Sequence, residues 1–303
     1  MAATAIQCEG LTKRFGHSRA VESIDLSVAA GEAFGFVGPN GAGKTTTIRM
    51  LMGFLRPSSG RAQIFGQDCW SEAVGVHRDV GNLPGDFTFE RTMTGRRVIE
   101  HVARLRGLGA EALREADALA ERLQANLDRP LGDLSRGNHQ KVGLIQAMFH
   151  RPKLLLLDEP TGGLDPLMQE TFITMIGEAR EAGTTVFLSS HNLVEVERTC
   201  ERVGIIRQGR LVATEDVATL EAKALRHVEI RFDGEPAPAD ALAGLPGARD
   251  LVIDGAHATL RMEGRIDPLV HLLAAHEVAD LVVQRASLEE LFISYYEQET
   301  ADA

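Results

Sequence analysis

The chain has 303 residues, 44% hydrophobic and 25% charged, which suits a soluble globular protein with one large domain and a smaller one. A net charge of -11 argues against a nucleic-acid surface as the main partner, so no nucleic acid is expected. No apolar run approaches the ~20 residues that span a bilayer, so any path across a membrane is supplied by another polypeptide.

Met1–Glu9 lacks the basic start and apolar stretch of a secretory signal. Cys8, Cys69 and Cys200 have no metal-ligand spacing, and with that N-terminus they suit a reducing cytoplasm. Ala5–Val28 reads as short strands around a turn at Gly16–Arg19, with period-two alternation over Ser23–Val28. Ala33–Val37 is an apolar strand that enters a glycine-rich loop, and Thr45–Leu55 is helical. Met93–Glu121 has helical spacing, with Val98, Val102, Leu105 and Leu108 expected on one buried face. Leu154–Leu157 is a buried strand ending in two acids; helix Met168–Glu181, stopped by Gly183, and strand Thr185–Ser189 follow. Strands alternating with helices imply a mostly parallel sheet covered on both sides.

The character changes after about Thr214, and Glu235–Gly247 is rich in Ala, Pro and Gly. Strands are expected at His227–Phe232, Asp250–Asp254, Ala258–Met262 and Asp280–Arg285, and helices at Ala239–Leu242, Pro268–His276 and Leu288–Tyr296. That βαββαβ order suggests a small ferredoxin-like α+β domain with an extra terminal helix.

The run Gly38-Pro39-Asn40-Gly41-Ala42-Gly43-Lys44-Thr45 matches the P-loop pattern G-x-x-x-x-G-K-S/T. Glycines let the backbone curl so that successive N–H groups point at phosphates, and the following helix adds its N-terminal partial charge. Lys44 then offers a mobile ammonium to the β- and γ-phosphates, and the Thr45 hydroxyl a ligand to Mg²⁺. A chance glycine-rich turn would not need the strand before it and the helix after it. Strand Leu154–Leu157 delivers Asp158 to the Mg²⁺ shell, as in the Walker B element of P-loop enzymes, and Glu159 can accept a proton from an attacking water. Taken alone, the two acids read equally well as helix-capping strand-end residues.

What lies between and after these motifs narrows the family. Leu134-Ser135-Arg136-Gly137-Asn138, with Gln140, closely resembles the LSGGQ signature of ABC ATPases, with Arg136 and Asn138 as departures. Ser135 also reads as a helix N-cap, and the two readings are compatible because a capped helix start binds anions. Gly163-Leu164-Asp165 looks like the family's D-loop, and Ser189-Ser190-His191 like its switch-histidine loop. The resemblance covers about residues 4–215, and within the family the chain looks most like the ATP-binding subunits of bacterial drug and antibiotic exporters. The features behind that narrower likeness are the signature variant, the modest C-terminal appendage and the ending Ser287-Leu288-Glu289-Glu290-Leu291-Phe292.

The resemblance implies an α/β fold: a P-loop NTPase core with an antiparallel β subdomain and an inserted helical subdomain at about 86–150, forming an ATPase domain over 1–215. The ferredoxin-like domain would then occupy 216–303. The resemblance also implies that Asn40, Gly41, Ala42, Gly43, Lys44, Thr45 and Thr46 bind ATP, and that Phe15 stacks on adenine unless it is structural. His191 would hold the γ-phosphate and the attacking water. Ser135, Gly137 and Asp165 would act across a head-to-tail dimer with a second ATP-binding subunit. Transmembrane permease subunits would hold the chain at the cytoplasmic face of the plasma membrane and contact the solute themselves. The family's Mg²⁺-touching glutamine should follow Leu83-Pro84, where Gly85 and then Asp86 stand. Asp86 is therefore a candidate metal ligand, since a carboxylate is a hard donor; its other reading is a helix cap or a solvated side chain. An importer ATPase stays open as an alternative, as does a soluble ABC ATPase acting on ribosomes or DNA. The single motif set and the lack of a heptad array argue against the soluble alternative.

Overall fold

The computed structural model of the chain describes residues 3–16, 18–86, 89–223 and 226–285. Two compact units, Met1–Glu215 and Asp216–Ala303, divide it.

The first unit opens with β1 (Thr4–Phe15) and β2 (Ser18–Ala29), an antiparallel hairpin longer than the short strands expected. Register shifts between Cys8 and Leu11 and between Leu11 and Arg14 break the alternation in β1, which hides its length in the sequence. In β2 the alternation is clean: Ile24, Leu26 and Val28 are buried while Ser23, Asp25 and Ser27 are exposed. Next come β3 (Ala33–Val37), buried at every residue, and α1 (Lys44–Leu51). Then β4 (Ser59–Ile64) and β5 (Gln67–Asp68) complete a sheet in the order β2-β1-β4-β5, and α2 (Ala73–Asp79) leads into β6 (Val80–Leu83).

The stretch expected as one helical pattern over Met93–Glu121 is two helices, α3 (Gly95–Arg106) and α4 (Ala110–Arg122). Gly107 ends α3 at φ 69, the left-handed position that closes a helix without a β-carbon clash. The buried side of α3 runs through Gly95, Val98, Ile99 and Ala103, and Leu105 is 75% exposed. Two members of that side are small, and a β-carbon on Gly95 would lie 3.1 Å from Leu127 and 3.2 Å from Val142. The helix docks through Val98 and Ile99 together with two small residues, so of the expected face Val98 is buried, Val102 and Leu108 are half-buried, and Leu105 points to solvent.

After α5 (Arg136–Met148) the chain forms β7 (Leu154–Asp158), α6 (Pro166–Glu181), β8 (Thr185–Ser190), α7 (Leu193–Thr199), β9 (Arg202–Arg207) and β10 (Arg210–Asp216). A sheet in the order β10-β9-β3-β8-β7-β6 results, and its pairings from β9 through β3, β8 and β7 to β6 are parallel. Its central strands are buried on both faces, as a parallel sheet covered by helices requires. At the centre Phe187 stacks on Phe34 with ring centroids 5.8 Å apart and tilts against Phe36 at 5.3 Å.

In the second unit α8 (Val217–Lys223) and β11 (Arg226–Phe232) precede α9 (Ala239–Ala243), β12 (Ala248–Asp254), β13 (His257–Met262), α10 (Asp267–Leu273) and β14 (Val278–Arg285). The four strands pair antiparallel in the order β12-β13-β11-β14. Val228, Ile230, Phe232, Leu260 and Met262 cluster with Leu242, Leu269 and Leu273 into a separate core. The helix expected at Leu288–Tyr296 lies outside the described residues.

Removing the central ring tests this core. Phe187→Ala is expected to destabilise the first unit by ~3–5 kcal/mol, the cost of emptying a close-packed aromatic site. Urea unfolding followed by Trp70, the single tryptophan and a residue of that unit, measures it. A loss below ~1 kcal/mol would contradict the packing described.

Candidate functional site

The glycine-rich loop joins the buried end of β3 to α1. Gly43 sits at φ 113, and a β-carbon there would come 2.6 Å from Ala20 O, so only glycine fits the approach of the loop to β2. Lys44 is 6% exposed, and its ammonium donates to Gly38 O at 2.6 Å and reaches Pro39 O at 3.4 Å. No side chain caps the start of α1, which leaves its first N–H groups available to an anion.

The parallel sheet brings the acids to the same edge. Asp158 ends β7 and is 1% exposed; its Oδ1 accepts a short hydrogen bond from Ser189 Oγ on β8. Glu159 leaves the strand at φ 52, a left-handed conformation that costs a non-glycine residue about 1–3 kcal/mol and marks a constrained position. Its carboxylate lies between two partners: Oε1 is 3.3 Å from the Lys44 ammonium, and Oε2 is 2.6 Å from His191 Nδ1. Oε1 has no aligned hydrogen bond although it is buried, so the Lys44 contact is one of charge. The expected residues Lys44, Asp158, Glu159 and His191 are thus gathered at the ends of β3, β7 and β8.

Other expected residues have local partners. Ser135 caps α5, its Oγ accepting from Asn138 N at 3.4 Å, and Asp165 caps α6, its Oδ1 accepting from Met168 N at 3.1 Å. Gly137 lies against the loop after β7: a β-carbon on it would come 2.3 Å from Gly163 O. Phe15 is half exposed, with Lys13 Nζ 5.1 Å from its ring centroid. Asn40 and Gly41 are exposed, Ala42 is buried, and Thr45 and Thr46 are half-buried in the first turn of α1. The residue that stands against Asp158 is Gly85, where a β-carbon would lie 3.0 Å from Oδ2. Asp86 is 91% exposed, with its carboxylate 4.0 Å from Arg49.

Sequence reading passed over three participants. Ser189 stood inside a quoted motif without a role, and Gln140 stood beside the signature without one. Glu195 gave no signal at all, because its place depends on how α7 folds back on β8. It is buried, its Oε2 accepts from Ser190 Oγ at 2.6 Å, and Thr161 is a second hydrogen-bond partner of the carboxyl. Ser190 Oγ in turn accepts from Asn192 N at 2.9 Å, so this carboxyl braces the loop that carries His191. Burial, opposed by the Ser190 hydrogen bond, pushes the Glu195 carboxyl up to about 7.

The ABC transporter family profile matches residues 21–162. A daunorubicin resistance ATP-binding protein of Streptomyces coeruleorubidus is 35% identical over 97% of this chain and 96% of its own length. A bacitracin transport ATP-binding protein of Bacillus licheniformis is 34% identical over 77% of this chain and 76% of its own. Among solved structures, an ATP-binding subunit of an ABC transporter matches with a TM-score of 0.66 at 28% identity, covering 72% of this chain and 92% of that one. A dimeric bacterial ABC transporter cassette shares the fold, with a TM-score of 0.65 at 23% identity over 70% of this chain and 98% of that one.

The Glu195 shift has a sign that can be measured. Its carboxyl titrates near 4.5 when unfolded and about 7 when folded, so between those values the folded state holds the extra proton. Stability from this group is complete below the lower value and is lost as pH rises through the upper one. Glu195→Gln cannot ionise, so the variant is expected to lose up to about 3 kcal/mol less than the parent across that window. Parallel pH–stability curves from urea unfolding would contradict the assignment.

Proposed function

The chain belongs to the ABC transporter family of ATP-binding proteins, and we propose that it powers the export of a drug or antibiotic through separate permease subunits. It is an ATPase, and its reaction splits ATP and water into ADP and phosphate. The observation that carries this reading is the meeting of Lys44, Glu159 and His191 at the strand ends beside an uncapped helix start.

The residues fit a nucleoside triphosphate with a divalent cation. The ammonium of Lys44 and the open N–H groups of α1 suit the β- and γ-phosphates, with Asn40, Gly41, Ala42, Gly43 and Thr46 forming the cradle. Thr45 and Asp158 are hard oxygen donors suited to Mg²⁺, which when bound neutralises phosphate charge. Among the described residues no group of three or more His, Cys, Asp or Glu forms a metal cage, which agrees with a cation held chiefly through the substrate. Asp86, exposed beside Arg49, would join that shell only through water.

Glu159 takes the proton of a water whose oxygen attacks the terminal phosphorus, while the bond from that phosphorus to the ADP oxygen breaks. His191 keeps the carboxylate aimed by donating from Nδ1. Lys44 stabilises the negative charge that the phosphate oxygens carry as the bond opens. Phe15 offers an exposed face for adenine. Ser135, Gly137 and Asp165 of a second copy close the site, since a capped helix start such as that of α5 binds anions.

Among the described residues no helix is long and apolar enough to cross a membrane, which supports attachment to the inner face through a permease. Residues 216–303 act as an accessory domain, because none of the nucleotide motifs lies in them. The names of the relatives, daunorubicin resistance and bacitracin transport, favour export of a compound of that kind.

Glu159→Gln tests the reading. The variant is expected to bind ATP, to lose at least ~100-fold in hydrolysis, and to collect as an ATP-bound dimer in light scattering. Turnover near that of the parent would remove Glu159 from its role, and an ATP-bound variant that stays monomeric would remove the closed dimer.

A further inference from the structure

Glu159 occupies a backbone conformation that its own sequence disfavours. Its φ of 52 is left-handed, and the next residue is Pro160, whose ring pushes the preceding residue towards extended geometry. Something outside the local chain must hold it. On one side Glu159 N donates to Ser189 O of β8 at 3.0 Å. On the other, Gln140 Nε2 from α5 donates to Glu159 O at 3.1 Å and to Pro160 O at 3.0 Å. Gln140 is 8% exposed, so its amide is committed to these two carbonyls and away from water.

We infer that Gln140 is a positioning residue for the hydrolysis, fixing the Glu159 backbone from α5 so that its carboxylate stays at the reacting atoms. The bond also joins two half-sites of one chain. Gln140 lies on the helix whose cap is Ser135, and Gly137 of its first turn is seated on Gly163, just beyond Glu159. The start of α5 and residues 159–163 are therefore tied by hydrogen bonds and a close backbone contact. On the composite-site reading above, on which this link rests, the start of α5 receives the nucleotide held by the partner subunit. Engagement of that nucleotide then reaches the chain's own Glu159 through Gln140, and ATP hydrolysis becomes cooperative between the two sites.

Gln140→Met keeps the length and burial of the side chain and removes the donor. The full chain carrying it is expected to bind ATP within about twofold of the parent and to lose ~10- to 100-fold in kcat, the scale of a displaced reacting group. Its ATP-dependence should be hyperbolic where the parent's is sigmoidal. If the Met variant fails to fold, Gln140→Asn, whose amide sits on a shorter stem, is read in the same way. Parental kcat in a folded variant, or a kcat loss matched by an equal loss of ATP affinity, overturns the positioning role. Sigmoidal dependence kept by the variant, or a hyperbolic parent, overturns the link between sites. The reading beneath it fails separately: Glu159→Gln with parental turnover would contradict Glu159 itself, whereas a dead Glu159→Gln beside a fully active Gln140→Met contradicts only Gln140.

Discussion

A buried ammonium must be matched by negative charge or by carbonyl oxygens, and Lys44 meets that demand from two directions at once. Its own loop supplies Gly38 O at 2.6 Å, and the end of β7, two strands along the same sheet, supplies the Glu159 carboxylate at 3.3 Å. For the two to meet, β3 and β7 must end at the same edge, with β8 between them. That placement is what the strand order β3-β8-β7 provides. The phenylalanine core beneath, Phe34 and Phe36 on β3 and Phe187 on β8, fixes these two strands relative to one another.

Around this contact the chain stores local cost where chemistry is done. Glu159 is left-handed before a proline, Gly43 at φ 113 passes within 2.6 Å of Ala20 O at its would-be β-carbon, and the Glu195 carboxyl is buried. Glu159 is held by bonds from β8 and α5, and Glu195 by one from Ser190 at the end of β8. Such positions survive only where surrounding structure over-determines them, which is a property of sites and less often of frameworks. Asp158 is closely approached by Gly85, which follows Pro84. A side chain there would crowd the Asp158 carboxylate, whose other face is taken by Ser189.

Much of this was legible in the sequence where the residues concerned are neighbours in the chain. The glycine loop with Lys44, and Asp158 with Glu159 at the end of an apolar strand, could be read directly because each motif is continuous. The pairing of His191 with Glu159 was reachable only through the resemblance, since nothing in the spacing of the two sets their contact. Gln140 and Glu195 were out of reach, because their roles arise from helices docking on strand ends. The buried face of α3 was legible at Val98 but not at Gly95 and Ala103, which pack by being small, and the length of β1 was hidden because its bulges disrupt the alternation. The position of Asp86, one residue after the place of the family's glutamine, together with its carboxylate suggests a metal ligand, and its exposure beside Arg49 is a feature of the fold that no local pattern carries.

Each active site is proposed to be completed by the signature of a second copy. Mixing two inactive chains tests this most directly. Lys44→Ala removes the ammonium that meets the phosphates, and Ser135→Arg blocks the start of α5 proposed to face the partner's nucleotide. A mixed dimer of the two holds one site with both faults and one with neither. ATPase activity absent from either variant alone should therefore reappear on mixing and rise with the fraction of mixed dimer. If the two chains fold and associate yet the mixture stays inactive, the site is not shared between copies and the account is wrong.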